Sequence, residues 1–238
     1  MQLPLIEFDE RVPVSGQILS VWRSRSEKAG SFKSTAYPNW EFVFSYVDGT
    51  ATAVLRGPET IATNAEVPAN GSWLGIRFKS GALLRGVNYG ALRDRKIDLE
   101  MVGHTHFRLG STTYEVPTFH NAECLVERLV RSKILEVDPQ VVSTMQNDDA
   151  MSTNIRTLQR RFVSATGLSR QTIKTIERAR SAAAMIRAGC TISDTIAAAG
   201  YCDQSQLTRS LTRFIGTTPA GLRRDANRPQ LSFFVVAP

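Results

Sequence analysis

The feature that most constrains this chain is a pattern that occurs twice in its C-terminal part. An apolar stripe at helical spacing ends on glycine, with a polar, cationic face beside it. In the first copy Ile155, Leu158, Phe162 and Ala165 fall at spacings of three, four and three, positions that share one side of a helix. Asn154 reads as the N-cap and Gly167 as the stop. Arg156, Gln159, Arg160 and Val163 repeat that spacing one residue later, about 100° around the axis. Two arginines and a glutamine therefore stand side by side, a surface suited to guanine and adenine edges in a major groove.

In the second copy Ile192–Ala199 reads as a short helix, Gly200-Tyr201-Cys202 as a tight turn, and Asp203 as the cap of the next helix. Leu207, Leu211 and Phe214 form the buried stripe of that helix. Ser205, Arg209 and Thr212 point the other way, flanked by Gln206 and Arg213, and Gly216-Thr217-Thr218-Pro219 closes it. Helix, glycine turn and polar-faced second helix is the helix-turn-helix plan, with Ala197 as the small residue that allows close approach. Between the copies, Arg170–Arg187 reads as one helix whose Ile173, Ile176, Ala179, Ala183 and Ile186 face both units. Rigid tandem units can enter successive major grooves, roughly 34 Å apart on one side of a duplex.

Charge follows the same division. Residues 1–150 hold 16 Lys/Arg and 18 Asp/Glu, a net of −2, whereas residues 151–228 hold 13 and 4, a net of +9. Of those 13 cations 12 are arginine, whose planar fork suits phosphates and base edges better than an ammonium does. The basicity belongs to one segment, which suggests a polyanion-binding module joined to a near-neutral one. Arg178, Arg180 and Arg187 read as surface or phosphate-facing, and Arg223, Arg224 and Arg228 as phosphate contacts or solvated residues.

Arg156-Thr157-Leu158-Gln159-Arg160-Arg161-Phe162 followed by Gly167-Leu168-Ser169 resembles the first recognition helix of AraC/XylS-family regulators. Gly200-Tyr201-Cys202-Asp203-Gln204-Ser205-Gln206-Leu207-Thr208-Arg209 followed by Gly216-Thr217-Thr218-Pro219 resembles the second. The likeness covers about residues 140–224. It implies base contacts from Arg156, Gln159 and Arg160 in one unit and from Gln204, Ser205, Gln206 and Arg209 in the other. Double-stranded DNA is the implied partner, with RNA polymerase a further one if the protein is an activator. The chain departs from the family at Asn154, where serine is usual, at Ile173, where an aromatic is usual, and at Leu211, where phenylalanine is usual. The acidic residues at 148–149 also differ from the usual entry to the first unit.

The N-terminal part reads as short strands. Residues 40–47 are rich in aromatic and β-branched types and run into Asp48-Gly49, a hairpin signal. Residues 50–55 return, and residues 73–78 alternate in the period of a half-buried strand. Residues 82–95 read as short helix and loop, and residues 121–134 as a helix that could serve as a strut or a dimer contact. Asp138-Pro139 marks a boundary, with Asp138 as cap. The strands over about residues 5–85 resemble the cupin-like sensor domains that precede some AraC-type domains. That likeness implies a small-molecule effector pocket, with Tyr37, Trp40, Phe42, Phe44, Trp73 and Arg77 as lining candidates.

Other classes find little footing. His104 and His106 could share a strand face, but no third ligand accompanies them, so no metal and no cofactor is expected. Cys124, Cys190 and Cys202 make neither a disulfide framework nor a zinc module. No phosphate loop or nucleophile elbow occurs, so no catalytic residue is expected. No apolar run spans a bilayer and no secretory signal is recognisable, which points to the cytoplasm.

The expectation is an α+β protein: a β-rich regulatory domain at 1–138, a tandem helix-turn-helix domain at 139–228, and an apolar tail at 229–238. Its expected function is sequence-specific transcriptional regulation, modulated by a small ligand or by homodimerisation. The alternative is an architectural DNA binder with a purely structural N-terminal domain.

Overall fold

The computed structural model describes residues 5–146 and 155–224. Asn154 with its capping role, residues 147–151, Arg228 and the tail 229–238 lie outside the described residues. Twelve strands come first: β1 (Glu7–Arg11), β2 (Ile18–Ser26), β3 (Gly30–Ser34), β4 (Glu41–Val47), β5 (Thr50–Arg56), β6 (Thr63–Val67), β7 (Gly71–Phe78), β8 (Ala82–Leu84), β9 (Lys96–Leu99), β10 (Met101–Val102), β11 (His106–Leu109) and β12 (Thr112–Glu115). Helix α1 (Ala122–Arg131) and strand β13 (Leu135–Val137) follow. The rest is helical: α2 (Pro139–Gln146), α3 (Ile155–Thr166), α4 (Arg170–Arg187), α5 (Ile192–Ala199), α6 (Gln204–Phe214) and α7 (Pro219–Arg224). The architecture is the α+β arrangement expected, β-rich first and helical second.

The main sheet has the order β1-β2-β7-β4-β5-β9, with every pairing antiparallel. Asp48 (φ 48°) and Gly49 (φ 78°) both take positive φ between β4 and β5, as a type I′ hairpin turn requires. Strand alternation then sorts the side chains. Trp40, Phe42, Phe44, Ile76 and Phe78 enter the principal core together with Leu125, Val126 and Leu129 of α1. Glu41, Val43, Trp73 and Arg77 turn to the opposite face. There the ribbon β3-β6 covers the sheet. Trp22 lies across Gly75 on that face, where a Cβ would stand 1.9 Å from the indole; only glycine leaves room for the ring.

Two local readings change. Residues 82–95 hold the short helix and loop expected, as a 3-10 turn at Tyr89–Leu92, but open with strand β8. Tyr89 is buried, and its hydroxyl accepts from Leu84 N–H at 2.7 Å, fixing the turn against the strand. The helix read at 121–134 ends at Arg131, because Lys133 takes φ 56° and redirects the chain into β13 beside β8. The segment 103–119 resolves into the β11–β12 hairpin around Gly110 (φ 62°).

Candidate nucleic-acid interface and adjoining cavity

Asp138 accepts from the N–H groups of Gln140 (2.9 Å) and Val141 (3.3 Å), capping α2 as read from the sequence. Its other oxygen accepts from Arg161 Nε of α3 at 2.8 Å, so one carboxylate joins the two helices of the first unit. On α3, Phe162 and Ala165 are buried, and Leu158 is half-buried. Arg156, Gln159 and Arg160 are exposed side by side.

Helix α4 is the brace. Ser169 caps it by accepting from Thr172 N–H at 3.1 Å. Ile173, Ile176, Ala179, Ala183 and Ile186 are all buried in the helical core. In the second unit Thr191 caps α5, and Gly200 ends it in the left-handed conformation (φ 70°). Asp203 caps α6, accepting from Gln206 N–H at 2.7 Å, while Gln206 Oε1 accepts from Cys202 N–H at 2.9 Å. This reciprocal cap leaves Gln206 its amide NH2 as the group to offer outward. Gln204, Ser205 and Arg209 are exposed, and Leu207, Leu211 and Phe214 are buried beneath them.

Three details differ from the sequence reading. Ala197 is exposed; the small residue of α5 that is sealed from solvent is Thr195, at 0% exposure. Arg178 is half-buried, donating to Gly200 O (3.3 Å) and lying 4.4 Å over the Tyr201 ring, so it fastens α4 to the turn. Arg180 is not on the surface. At 8% exposure it enters the β-rich domain, because that side of α4 faces the loop after β3.

A cavity of about 140 Å³ lies between the main sheet and the β3-β6 ribbon. Tyr37, Trp73 and Arg77 are among the residues that line it. Trp40, Phe42 and Phe44 do not: they sit one residue out of phase on the pleat and fill the core on the other face. The sequence reading missed Glu41, Arg56 and Glu59, which also line the space. Glu41 Oε2 accepts from Trp22 Nε1 (2.8 Å) and Arg77 Nε (3.2 Å), and its other oxygen accepts from Arg56 at 3.4 Å. Arg77 also donates to Glu10 at 2.8 Å.

Burial works against the Arg77 charge, but Glu41, Tyr37 and Glu10 outweigh it and raise the pKa. Burial pushes the Glu59 carboxyl up, with Arg56 pulling the other way. The overlooked signal was cross-strand: Glu41 and Arg77 are direct partners in the β4–β7 register, each the single charged residue of its strand.

His106 is exposed, with Nδ1 3.0 Å from Thr105 Oγ1. No group of three or more metal-capable side chains occurs among the described residues. No helix among them is long and apolar enough to cross a membrane.

Two polar-faced helices, each preceded by a capped partner helix and joined by a buried brace, define a tandem helix-turn-helix domain behind a β-rich one. Residues 149–225 match the family model described as a helix-turn-helix domain. That match supports a DNA-binding transcription regulator. No curated protein and no solved structure gives a match.

Proposed function

We propose that this chain is a sequence-specific transcriptional regulator that reads double-stranded DNA with α3 and α6 and is modulated through its β-rich domain. The observation that carries the reading is the pair of exposed faces, Arg156/Gln159/Arg160 and Gln204/Ser205/Arg209, backed by one buried helix. Arginines on these faces neutralise phosphates and release counterions, giving salt-sensitive affinity. Bidentate contacts to base edges then discriminate by about 1–3 kcal/mol each. Gln206 takes part through its amide.

Residues 1–138 act as the regulatory domain and residues 139–228 as the DNA-binding domain; the start of α2 at Pro139 supports that division. A cupin-like sensor role for the first is supported by its antiparallel sheets and the cavity between the main sheet and the β3-β6 ribbon. The occupant is a compact molecule held by Tyr37, Trp73, Arg77 and their neighbours. It regulates only if it binds the DNA-competent and incompetent states unequally. Homodimerisation and, for an activator, contact with RNA polymerase belong to the same reading.

The test is binding of the full chain to duplexes selected from random sequence. Arg160→Ala and Arg209→Ala should each lose about tenfold or more in specific affinity, whereas Arg131→Ala, at an exposed position of α1, should lose little. Affinity should also fall steeply as salt rises. Equal losses from all three substitutions, or a flat salt response, would refute the assignment. Indiscriminate binding to every duplex would favour the architectural alternative.

A further inference from the structure

Residues 35–37 belong to two places at once. Thr35 and Tyr37 line the cavity, while Ala36 between them is fully buried in the core of the helical domain. Ala36 N–H donates to Phe214 O at 2.7 Å, and Ala62 N–H donates to Arg213 O at 2.8 Å. The last carbonyls of α6, which a helix cannot satisfy internally, are thus capped from the β-rich domain. Arg180 of the brace donates to Thr35 Oγ1 (3.0 Å) and Ala36 O (3.2 Å). The Tyr37 ring contacts two guanidinium groups, those of Arg77 and Arg180, each 4.3 Å from its centroid. The stop of α3 meets the same domain: a Cβ on Gly167 would stand 2.6 Å from Tyr89 O.

The ends of α3 and α6 and the middle of α4 therefore all meet the β-rich domain, and residues 35–37, which receive α6 and Arg180 of α4, also line the cavity. Interiors this close-packed do not yield continuously. A Tyr37 ring that shifts either carries Arg180 with it or gives up its contact with that buried guanidinium, which the neighbouring Thr35 and Ala36 also hold. We propose that residues 35–37 are a relay: filling the cavity displaces Tyr37, unseats Arg180 and disturbs the spacing of α3 and α6, so that cavity occupancy and DNA binding form one coupled equilibrium. This rests on the DNA-binding reading above and names the route by which its regulation travels.

The cavity has room for a few water-sized volumes, each about 30 Å³, so a side chain can stand in for the occupant. Ala65 on β6 lines it. In the full chain, Ala65→Phe should weaken binding to the selected duplex about tenfold, within the usual range of site-to-site coupling. Arg180→Met should do the same, and the double substitution should be no weaker than either single one. Ala65→Leu carries the test if the larger ring prevents folding.

Linkage is reciprocal, so adding duplex to the unsubstituted chain should change acrylamide quenching of the cavity tryptophans, Trp22 and Trp73. That change should vanish in Arg180→Met. Multiplying losses, no effect from either Ala65 substitution, or quenching that ignores DNA would each overturn the relay. A chain that selects no duplex would fail before any variant is compared, and would remove the underlying reading and the relay together.

Discussion

Glu59 shows how one buried carboxyl ties the cavity to solution conditions. Its backbone pairs with Tyr37 in an isolated bridge, and its side chain lies 3.8 Å from Arg56. Burial raises its pKa in the folded state, with Glu41 and Asp94 adding to the effect and Arg56 opposing it. A folded pKa above the unfolded one means that the folded state binds the proton more tightly. The associated stability is therefore fully present below the ordinary carboxyl value of 4.5 and is lost as pH rises through the raised one. Glu59→Gln removes that titration. Urea unfolding of the two proteins from pH 4.5 to 7.5 should show the wild type losing ground to Glu59→Gln as pH increases. A constant difference across the range would mean that Glu59 ionises as it does in the unfolded chain.

At the scale of elements, the helices of the second unit were the most legible part of the sequence, because their ends are written in local chemistry. Gly200 and Asp203 each act where a stop or cap was read, and the structure adds Thr191 as the cap of α5. Gly200→Ala should destabilise the helical domain by about 1–2 kcal/mol, the penalty of left-handed backbone for a residue with a Cβ. The surroundings are open, with nothing within 4 Å of the added carbon, so the loss belongs to the backbone alone. Gly200→Asn, which tolerates that conformation better, should recover part of it; equal melting of Ala and Asn variants would count against this account.

The strands β4, β5 and β7 were legible for the same kind of reason, since Asp48-Gly49 fixed a turn and alternation fixed the faces. What alternation could not reveal was which face enclosed space. Phe42 and Arg77 were equally plausible lining residues until the β3-β6 ribbon was seen to cover the Glu41 side. Arg180 was misread because helical periodicity distinguishes inside from outside only within one domain. Its burial is set by residues 35 and 36, some 145 positions earlier in the chain.

For the whole molecule, the decisive question is whether the two domains melt separately or together. Ala36 is part of the helical core, although it lies in the β-rich half of the chain, and Leu83 packs against both principal cores. The interface adds two backbone hydrogen bonds at the end of α6 and the socket of Arg180. Each such bond contributes about 0.5–1.5 kcal/mol net, and bonds from a charged group more. Together they are comparable to the stability of a small domain, about 5–15 kcal/mol, once the shared apolar contacts are included.

The chain is well suited to the measurement, since all three tryptophans, Trp22, Trp40 and Trp73, lie in the β-rich half and most helix lies in the other. Tryptophan fluorescence and far-UV helical signal should therefore follow a single transition in the wild type. In Arg180→Met the helical signal should fall first, by several degrees, because the domain that loses its anchor keeps only its own small core. If the wild-type curves already separate, the interface is too weak to hold α3 and α6 in register, and the spacing of the two recognition helices must be maintained by α4 alone.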